Sequence, residues 1–194
     1  MKTKTIFFDT ETTGLPPRNA DPIRNFDKFP HIVQLSWIAP DGTENDYIIK
    51  PEGWIIPYNA ERIHHISTYK AQEIGKPRRE VLKAFCDDAT EAQELCAHNI
   101  EFDINIILAN LAREYGKEAA QKFYDTIIAN RAQIDTMMDN IDLVGATFKD
   151  GTPGKYPKLE ELYYFLFNES FNAHNAMDDV RAVKRCYEAL GYGD

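Results

Sequence analysis

Residues 5–14 of the chain read TIFFDTETTG, an apolar run followed at once by alternating acidic and small polar residues. The apolar half predicts a buried β-strand, and side chains two residues apart on a strand point to the same face. Asp9 and Glu11 therefore share one face at the end of this strand, where two carboxylates repel each other and lose hydration. A bound divalent cation relieves both costs. The alternative interpretation is an ordinary polar turn, in which Asp and Gly are common.

Two later segments repeat one local pattern, in which His-Asn is followed by three residues and then Asp. They read HNIEFD at residues 98–103 and HNAMDD at residues 174–179. Asparagine is a preferred helix N-cap, and we interpret both asparagines as caps, which puts Asp103 and Asp179 in the first turns of two helices. Each aspartate then heads an apolar stripe at helical spacing, where an ionised carboxylate needs a partner.

Acids in a first helical turn are also favoured by the helix dipole alone. We apply that interpretation to Glu101 and Asp178, which should point away from the apolar stripes. For Asp103 and Asp179 we prefer metal binding, because one shared ion site would neutralise all four acids together.

The three motifs together resemble those of the DEDDh 3′→5′ exonucleases, the family of the bacterial proofreading ε subunit, ribonuclease T and oligoribonuclease. They occur in the family's order from Asp9 to Asp179. Residues 63–67 (IHHIS) also look like the family's His-Gly-Ile-Thr segment, with His65 in place of glycine. The resemblance implies a ribonuclease H-like fold, with residues 1–194 as a single exonuclease domain and the site at the end of the first strand.

The order of the predicted elements indicates an α/β fold, in which a mixed five-stranded sheet is flanked by helices. Strands are predicted near residues 4–9, 31–39, 45–50, 93–98 and 131–135. Helices are predicted near residues 68–74, 78–89, 100–115, 117–127, 157–167 and 176–190. The segment Pro40-Asp41-Gly42 predicts a hairpin turn between the second and third strands.

Length and composition are those of a globular protein. The chain has 194 residues, of which 43% are hydrophobic and 12% aromatic, enough to build a full core. The N-terminus leads directly into a strand, and no apolar run is long enough to cross a membrane. The three cysteines lack CxxC spacing, which indicates reduced core residues and a cytoplasmic protein.

The net charge of −9 is unusual for a protein that binds nucleic acid. Four of the acids are assigned to metal binding, however, and bound cations would reverse the local field. Basic residues gather at residues 76–83 and 149–158, and either cluster could contact phosphates. For the first cluster a solvated helix face is the preferred interpretation. The absence of a broad basic surface favours short, locally held substrates.

The resemblance implies phosphodiester hydrolysis assisted by two divalent cations, and ligands that are all oxygen atoms favour Mg²⁺ or Mn²⁺. By the same resemblance, Asp9, Glu11 and Asp179 hold the ion that binds the attacking water. Asp9 also bridges to the second ion, and Asp103 assists through water.

His174 corresponds to the family's general base, and an unperturbed histidine pKa of about 6.5 suits proton removal near neutral pH. The residues alone do not choose between His98 and His174, because both precede an acid in the same way. Only the family motif selects His174. For His98 we prefer a packing or hydrogen-bonding role.

Substrate contacts follow from the resemblance as well. In the family, the backbone after the first acids holds the terminal 3′-hydroxyl, a bulky residue wedges against the last base, and the Phe of the second motif holds the nucleotide. The corresponding candidates are Thr12, Thr13, Leu15 and Phe102, and His98 and Asn99 are added as neighbours of the second motif. The alternative for Leu15 and Phe102 is a place in the core.

We therefore predict a metal-dependent 3′→5′ exonuclease that hydrolyses single-stranded nucleic acid to nucleoside 5′-monophosphates. DNA is the favoured substrate, and an RNA-specific exoribonuclease is an alternative. A DNA polymerase is a candidate partner, and no membrane partner is expected. Two other functions stay open, namely an inactive module that only binds nucleic acid or a polymerase, and a metal phosphohydrolase that acts on free nucleotides.

Overall fold

The computed structural model describes residues 3–173 and 175–193. Its strands are β1 (Thr5–Thr12), β2 (Ile32–Ile38), β3 (Glu44–Ile48), β4 (Glu94–Ala97) and β5 (Ala132–Asp135). Its helices are α1 (Tyr58–His64), α2 (Thr68–Ile74), α3 (Arg78–Glu91), α4 (Ile100–Tyr115), α5 (Lys117–Thr126), α6 (Ile141–Val144), α7 (Leu159–Phe167) and α8 (Ala176–Ala189). None of the helices within these described ranges has the length and apolar character needed to span a membrane.

The five strands form one sheet in the order β3-β2-β1-β4-β5. The pairs β1–β2 and β2–β3 are antiparallel, whereas β1–β4 and β4–β5 are parallel. The predicted mixed five-stranded sheet is therefore confirmed. The predicted hairpin turn is also present, since the backbone N–H of Ala39 donates to the carbonyl oxygen of Thr43 at 2.8 Å and Gly42 adopts a φ of 91°.

Helices cover both faces of the sheet, and β1 lies at its centre. Ile6 and Phe8 pack in the larger apolar cluster with α3, α4 and α5. Phe7 points to the opposite face and packs with α7 and α8. This alternation continues to the end of β1 and determines which helix each of its last side chains meets.

Helices α1 and α6 are not predicted by the sequence patterns. Helix α1 has only two turns and buries only Ala60 and His64, so it lacks the broad apolar stripe by which longer helices are recognised. It packs with Ile56 and Ile66 against Val33 of β2. Helix α6 is a single turn of four residues. The other six helices lie within two residues of their predicted bounds.

The loop between β1 and β2 is fastened to α4. Arg113 donates from Nη2 to the carbonyl oxygens of Phe26 and Phe29, at 2.6 and 2.8 Å. Asn110 donates from Nδ2 to the carbonyl oxygen of Pro30 at 3.1 Å. These bonds satisfy backbone groups of the loop and fix the point at which the chain enters β2, next to the end of β1.

Candidate active site

Three carboxylates meet at the end of β1. Asp9 and Glu11 lie on the side of the strand that Phe7 shares with α8, and Asp179 comes from the first turn of that helix. One oxygen atom from each of these three residues lies within 4.8 Å of the other two. All three ligands are oxygen atoms, which is the donor set that Mg²⁺ and Mn²⁺ prefer. The arrangement therefore fits a hard divalent cation.

The fourth predicted acid, Asp103, reaches β1 from the opposite face. It lies in the first turn of α4 and is 2% exposed. Thr10 donates two hydrogen bonds to Asp103 Oδ1, one from its backbone N–H at 2.9 Å and one from its hydroxyl at 2.6 Å. Asp103 is thus attached to the residue between Asp9 and Glu11, and it is not a member of the three-carboxylate cluster.

Burial and mutual repulsion make the acids hard to ionise. Burial, followed by the charges of Asp103, Asp179 and Glu11, raises the pKa of Asp9 well above its usual range. Burial and the charge of Asp179 raise the pKa of Glu11 to about 7. Burial also raises the pKa of Asp103 to about 7, although the hydrogen bonds from Thr10 act in the opposite direction. Protons or cations are therefore needed to hold these groups together.

The two helices that present the aspartates are capped differently. Asn175 caps α8 as predicted, because its side-chain oxygen accepts from the backbone N–H of Asp178 at 3.4 Å. Asn99 occupies the N-cap position of α4 as predicted, but its side chain forms no capping hydrogen bond. Asn99 adopts a left-handed φ of 69°, and its backbone N–H donates to the carboxylate of Asp135 at 2.9 Å.

Asp135 therefore performs the capping of α4 from the end of β5. Its second oxygen accepts from the backbone N–H of Ile100 at 3.2 Å, and its first also accepts from that of Met137 at 2.9 Å. A carboxylate beside the positive end of the helix dipole is stabilising. This contact joins β5 to the helix that carries Asp103.

Of the two motif histidines, His174 lies outside the described residues and His98 lies within them. The ring of His98 is held at both nitrogens, with Nε2 3.0 Å from the carbonyl oxygen of Pro157 and Nδ1 3.1 Å from the hydroxyl of Thr136. Since a carbonyl only accepts, Nε2 carries the ring proton. Burial lowers the pKa of His98. This geometry agrees with the hydrogen-bonding role that the sequence interpretation preferred.

A cavity of about 380 Å³ opens beside Glu11. Its walls include three of the predicted substrate residues, Thr12, Leu15 and Phe102, together with Ile63 of α1. Leu15 is 87% exposed and stands at the rim, so it is not a core residue. Phe102 is half-buried against the main core.

Three other predicted substrate residues, Thr13, His98 and Asn99, do not line this cavity. Thr13 instead pairs with His31, since its backbone N–H donates to the His31 carbonyl and its hydroxyl accepts from the His31 N–H, each at 3.0 Å. Thr13 thereby fixes the loop that carries Leu15.

One cavity residue, His64, was not among the predicted site residues. The backbone N–H of Ile66 donates to His64 Nδ1 at 3.1 Å, so Nε2 carries the ring proton. Within the described ranges, His64 Nε2 is the one buried side-chain nitrogen or oxygen atom without a hydrogen-bond partner. The sequence signal for this residue was the likeness of residues 63–67 to the His-Gly-Ile-Thr segment.

The neighbouring His65 stands where the His-Gly-Ile-Thr segment has glycine, and its backbone conformation is one that glycine favours. His65 ends α1 in the left-handed conformation, with φ 58° and ψ 25°, and its backbone N–H donates to the carbonyl oxygen of Glu61 at 2.8 Å. Glycine adopts this conformation without the steric penalty of a Cβ atom. The backbone shape that glycine favours is therefore kept in this chain.

Comparison with protein families gives one match, in which the model described as RNase_T, exonuclease, covers residues 6–187. No curated protein is similar enough in sequence to count as a relative. Several solved structures share the ribonuclease H-like exonuclease fold of this chain.

Escherichia coli Exonuclease I in complex with a dA16 oligonucleotide is similar at 17% identity with a TM-score of 0.73, over 97% of this chain and 41% of that chain. The same enzyme with a dT13 oligonucleotide is similar at 18% identity with a TM-score of 0.75, over 97% and 41%. Exonuclease I from Methylocaldum szegediense is similar at 20% identity with a TM-score of 0.69, over 96% and 40%. The chain thus spans about two fifths of the length of these structures, and the likeness establishes the fold.

Proposed function

The chain belongs to the RNase_T exonuclease family, and from this premise we propose that it removes nucleotides one at a time from the 3′ ends of single-stranded nucleic acid. The products would be nucleoside 5′-monophosphates. The observation that carries the proposal is the meeting of Asp9, Glu11 and Asp179 beside a cavity of nucleotide size. A family match alone would not distinguish an active nuclease from a binding module, whereas a complete acidic cluster supports catalysis.

Two Mg²⁺ or Mn²⁺ ions, when bound, would neutralise charge on the phosphate, activate the attacking water and stabilise the leaving oxygen. Asp9, Glu11 and Asp179 would hold the first ion. Asp9 would also contact the second, with Asp103 assisting through water. The raised pKa values of Asp9, Glu11 and Asp103 support this assignment, because a cation offsets the burial and the repulsion that raise them.

His174 is the proposed general base, which takes a proton from the attacking water at a ring nitrogen. His98 is the less suitable candidate, because the proton on its Nε2 is already donated to the backbone carbonyl of Pro157. Its Nδ1 faces the hydroxyl of Thr136.

The cavity is the proposed place for the 3′-terminal nucleotide. Leu15 and Phe102, which both line the cavity, offer apolar surfaces to the base, and such contacts tolerate any base. Thr12 would present backbone groups to the 3′-hydroxyl. His64 lines the same cavity, and its buried Nε2 lacks a hydrogen-bond partner in the described protein, which makes it a candidate donor to the bound nucleotide.

Single-stranded DNA is the favoured substrate, because the structural neighbours include Exonuclease I bound to dA16 and dT13 oligonucleotides. We also propose that residues 1–194 act as one exonuclease domain. The cytoplasmic location and the DNA polymerase partner stay predictions from the sequence.

The proposal is tested by digestion of matched DNA and RNA strands that carry a label at either end, with Mg²⁺ present. A label at the 3′ end should be released first as a mononucleotide, and a 3′-phosphate should slow digestion strongly while a 5′-phosphate should not. Cleavage of a circular single strand would show an endonuclease instead. Binding of the strands without any cleavage would show an inactive module, and hydrolysis of free nucleotides alone would show a phosphohydrolase.

A further inference from the structure

The segment between α6 and α7 carries exposed aromatic and basic side chains. Residues 147–158, here called the hairpin segment, fold back on themselves through a bridge between Thr147 and Pro153. The backbone N–H of Phe148 donates to the carbonyl oxygen of Thr152 at 2.8 Å. Phe148 is 51% exposed and Tyr156 is 56% exposed. Both rings are therefore presented to solvent on a hydrogen-bonded turn.

The hairpin segment lies at the same edge of the sheet as the catalytic acids. Strands β1 and β4 are parallel and pair Phe7 with Cys96, and both side chains face α7 and α8. Asp9 and Glu11 follow Phe7 in β1, and His98 directly follows Ala97, the last residue of β4. Because β1 and β4 are parallel, their carboxyl ends lie at the same edge of the sheet. His98 then holds the carbonyl oxygen of Pro157 at 3.0 Å. His98 therefore connects the hairpin segment to the edge of the sheet that carries Asp9 and Glu11, here called the acidic edge.

The hairpin segment is also positively charged in a protein whose net charge is −9, since it contains three lysines and one aspartate. Asp150 accepts from the backbone N–H of Thr152 at 3.0 Å, and Lys155 pairs with Glu161. Lys149 is exposed and forms no ion pair with any described residue. The charge of Lys149 is therefore available for contact with a negatively charged ligand.

The other basic cluster, residues 76–83, differs in this respect. Arg78 pairs with Glu114 at 3.0 Å, Arg79 stacks over the ring of Tyr115 at 4.6 Å from its centroid, and Lys83 pairs with Asp87 at 2.5 Å. Two of its four basic residues are ion-paired within the protein and a third packs on an aromatic ring, which agrees with the preferred interpretation of that cluster. The hairpin segment is the better candidate for a phosphate contact.

We propose that the hairpin segment is a second binding site for single-stranded nucleic acid and holds nucleotides upstream of the 3′-terminal one. Phe148 and Tyr156 stack on bases, and Lys149 contacts the backbone phosphates. Aromatic rings interleaved with cations are the usual means by which proteins hold single strands of any sequence. The inference rests on the proposed function, because a second binding site for the strand has a role only if the acidic edge acts on that strand.

The test measures kcat and KM on a dinucleotide, which occupies only the acidic edge and the cavity, and on a twelve-nucleotide strand, which also reaches the hairpin segment. Phe148→Ala or Tyr156→Ala should raise KM on the long strand roughly 5- to 150-fold, the range expected for the loss of one stacked base. Their kinetics on the dinucleotide should not change. Tyr156→Phe keeps the ring and should retain the KM of the unmodified protein on the long strand.

Lys149→Gln tests the phosphate contact. The plot of log affinity against log salt concentration falls more steeply by about 0.7 for each phosphate contact to a single strand. The Lys149→Gln variant should therefore give a slope that is shallower by about that amount. Lys122→Gln, an exposed lysine on α5, is the control and should leave the slope unchanged.

The aromatic controls are matched in type and exposure. Phe165 is 51% exposed and Tyr164 is 60% exposed, and both lie on α7 outside the hairpin segment. If Phe148→Ala and Tyr156→Ala behave on the long strand like Phe165→Ala and Tyr164→Ala, the inference is overturned. An equal loss on the dinucleotide would overturn it as well, because it would show damage to the acidic edge. Failure of the unmodified protein to digest either strand would overturn the proposed function, and the inference with it.

Discussion

Asp103 is bonded to Thr10 twice through a single carboxylate oxygen, once to the backbone N–H at 2.9 Å and once to the hydroxyl at 2.6 Å. Thr10 lies between Asp9 and Glu11, so α4 is hydrogen-bonded to β1 at the position from which these two carboxylates extend. Helix α4 therefore positions those acids through the backbone of β1, in addition to any role of Asp103 in metal binding.

The first prediction concerns this bond. Thr10→Val keeps the shape of the side chain but removes the hydroxyl donor to a buried carboxylate, so the free energy of unfolding should fall by about 1–3 kcal/mol. Chemical denaturation without metal at about pH 8 measures the effect. Thr147→Val, at an exposed position, is the control and should change stability little. Equal stabilities of the two variants would show that the hydroxyl bond contributes nothing.

The second prediction concerns the metal. Asp9→Asn should reduce the rate by orders of magnitude and yet should not destabilise the metal-free protein, because it removes a buried charge that three neighbouring acids repel. Mg²⁺ should raise the Tm of the unmodified protein, since a ligand that binds only the folded state stabilises it. The same ion should hardly shift the Tm of Asp9→Asn.

Glu118→Gln, which removes an exposed acid on α5, is the matched control for the Mg²⁺ response and should behave like the unmodified protein. Excess chelator should abolish the activity of both Glu118→Gln and the unmodified protein. Full activity in the presence of the chelator would contradict the assignment of these acids to a metal.

The third prediction concerns pH. The pKa of Glu11 rises from its usual 4.5 to about 7 on folding, so the folded state binds more protons than the unfolded state between these values. Stability from this group is therefore present at low pH and is lost as pH rises through about 7. Glu11→Gln has no such group. Its Tm relative to the unmodified protein, measured without metal, should increase from about pH 5 to about pH 8.

His31 has the opposite pH dependence, because burial and the charges of Arg113 and Arg78 lower its pKa to about 4. The contribution of His31 to stability is the same in Glu11→Gln and in the unmodified protein, so it cancels in the difference between their Tm values. A difference in Tm that stays constant across this pH range would show that Glu11 titrates normally.

The strands were predictable because their signals are local. Each is a short run of apolar or alternating residues bounded by turn residues, as in residues 5–14. Helices α4 and α8 were predictable for a similar reason, since each continues an apolar stripe for several turns. The convergence of Asp9, Glu11 and Asp179 followed from the family resemblance, which supplies the long-range information that spacing alone lacks.

The features that could not be predicted depend on residues far apart in the chain. Asp135 caps α4 from another strand, and no local pattern distinguishes that cap from one made by Asn99. Helix α1 is short, and packing against β2 stabilises it more than its own sequence pattern does. That His64 Nε2 is buried without a hydrogen-bond partner in the described protein also becomes apparent only when α1 is placed beside the cavity.

The fourth prediction concerns His65, the residue that replaces the family's glycine. Because a Cβ atom is strained in the left-handed conformation, His65→Gly should raise the free energy of unfolding by about 0.5–1 kcal/mol. His65→Ala keeps the Cβ atom and should give no such gain. Denaturant midpoints of the two variants, compared with that of the unmodified protein, provide the measurement. An equal gain in both would locate the effect in the imidazole ring instead of the backbone.

The fifth prediction separates the two motif histidines. A general base contributes about 10²–10⁴ in rate, so His174→Ala should lose activity by that factor, and the acidic limb of its pH–rate profile should flatten. Mg²⁺ should still raise its Tm, because His174 is not proposed as a ligand. His98→Ala should mainly reduce stability, by about 1–3 kcal/mol, because it removes the hydrogen-bond donor to the carbonyl of Pro157.

Added imidazole gives a control for the chemistry, since it can replace a missing base but not a missing structural contact. It should restore part of the rate of His174→Ala and none of the stability of His98→Ala. The reverse ranking, with His98→Ala nearly inactive and His174→Ala active, would place the base in the first His-Asn segment. The ring of His98 would then have to accept the proton at Nδ1, in place of its contact with the Thr136 hydroxyl, because Nε2 already carries a proton and donates it to the carbonyl of Pro157.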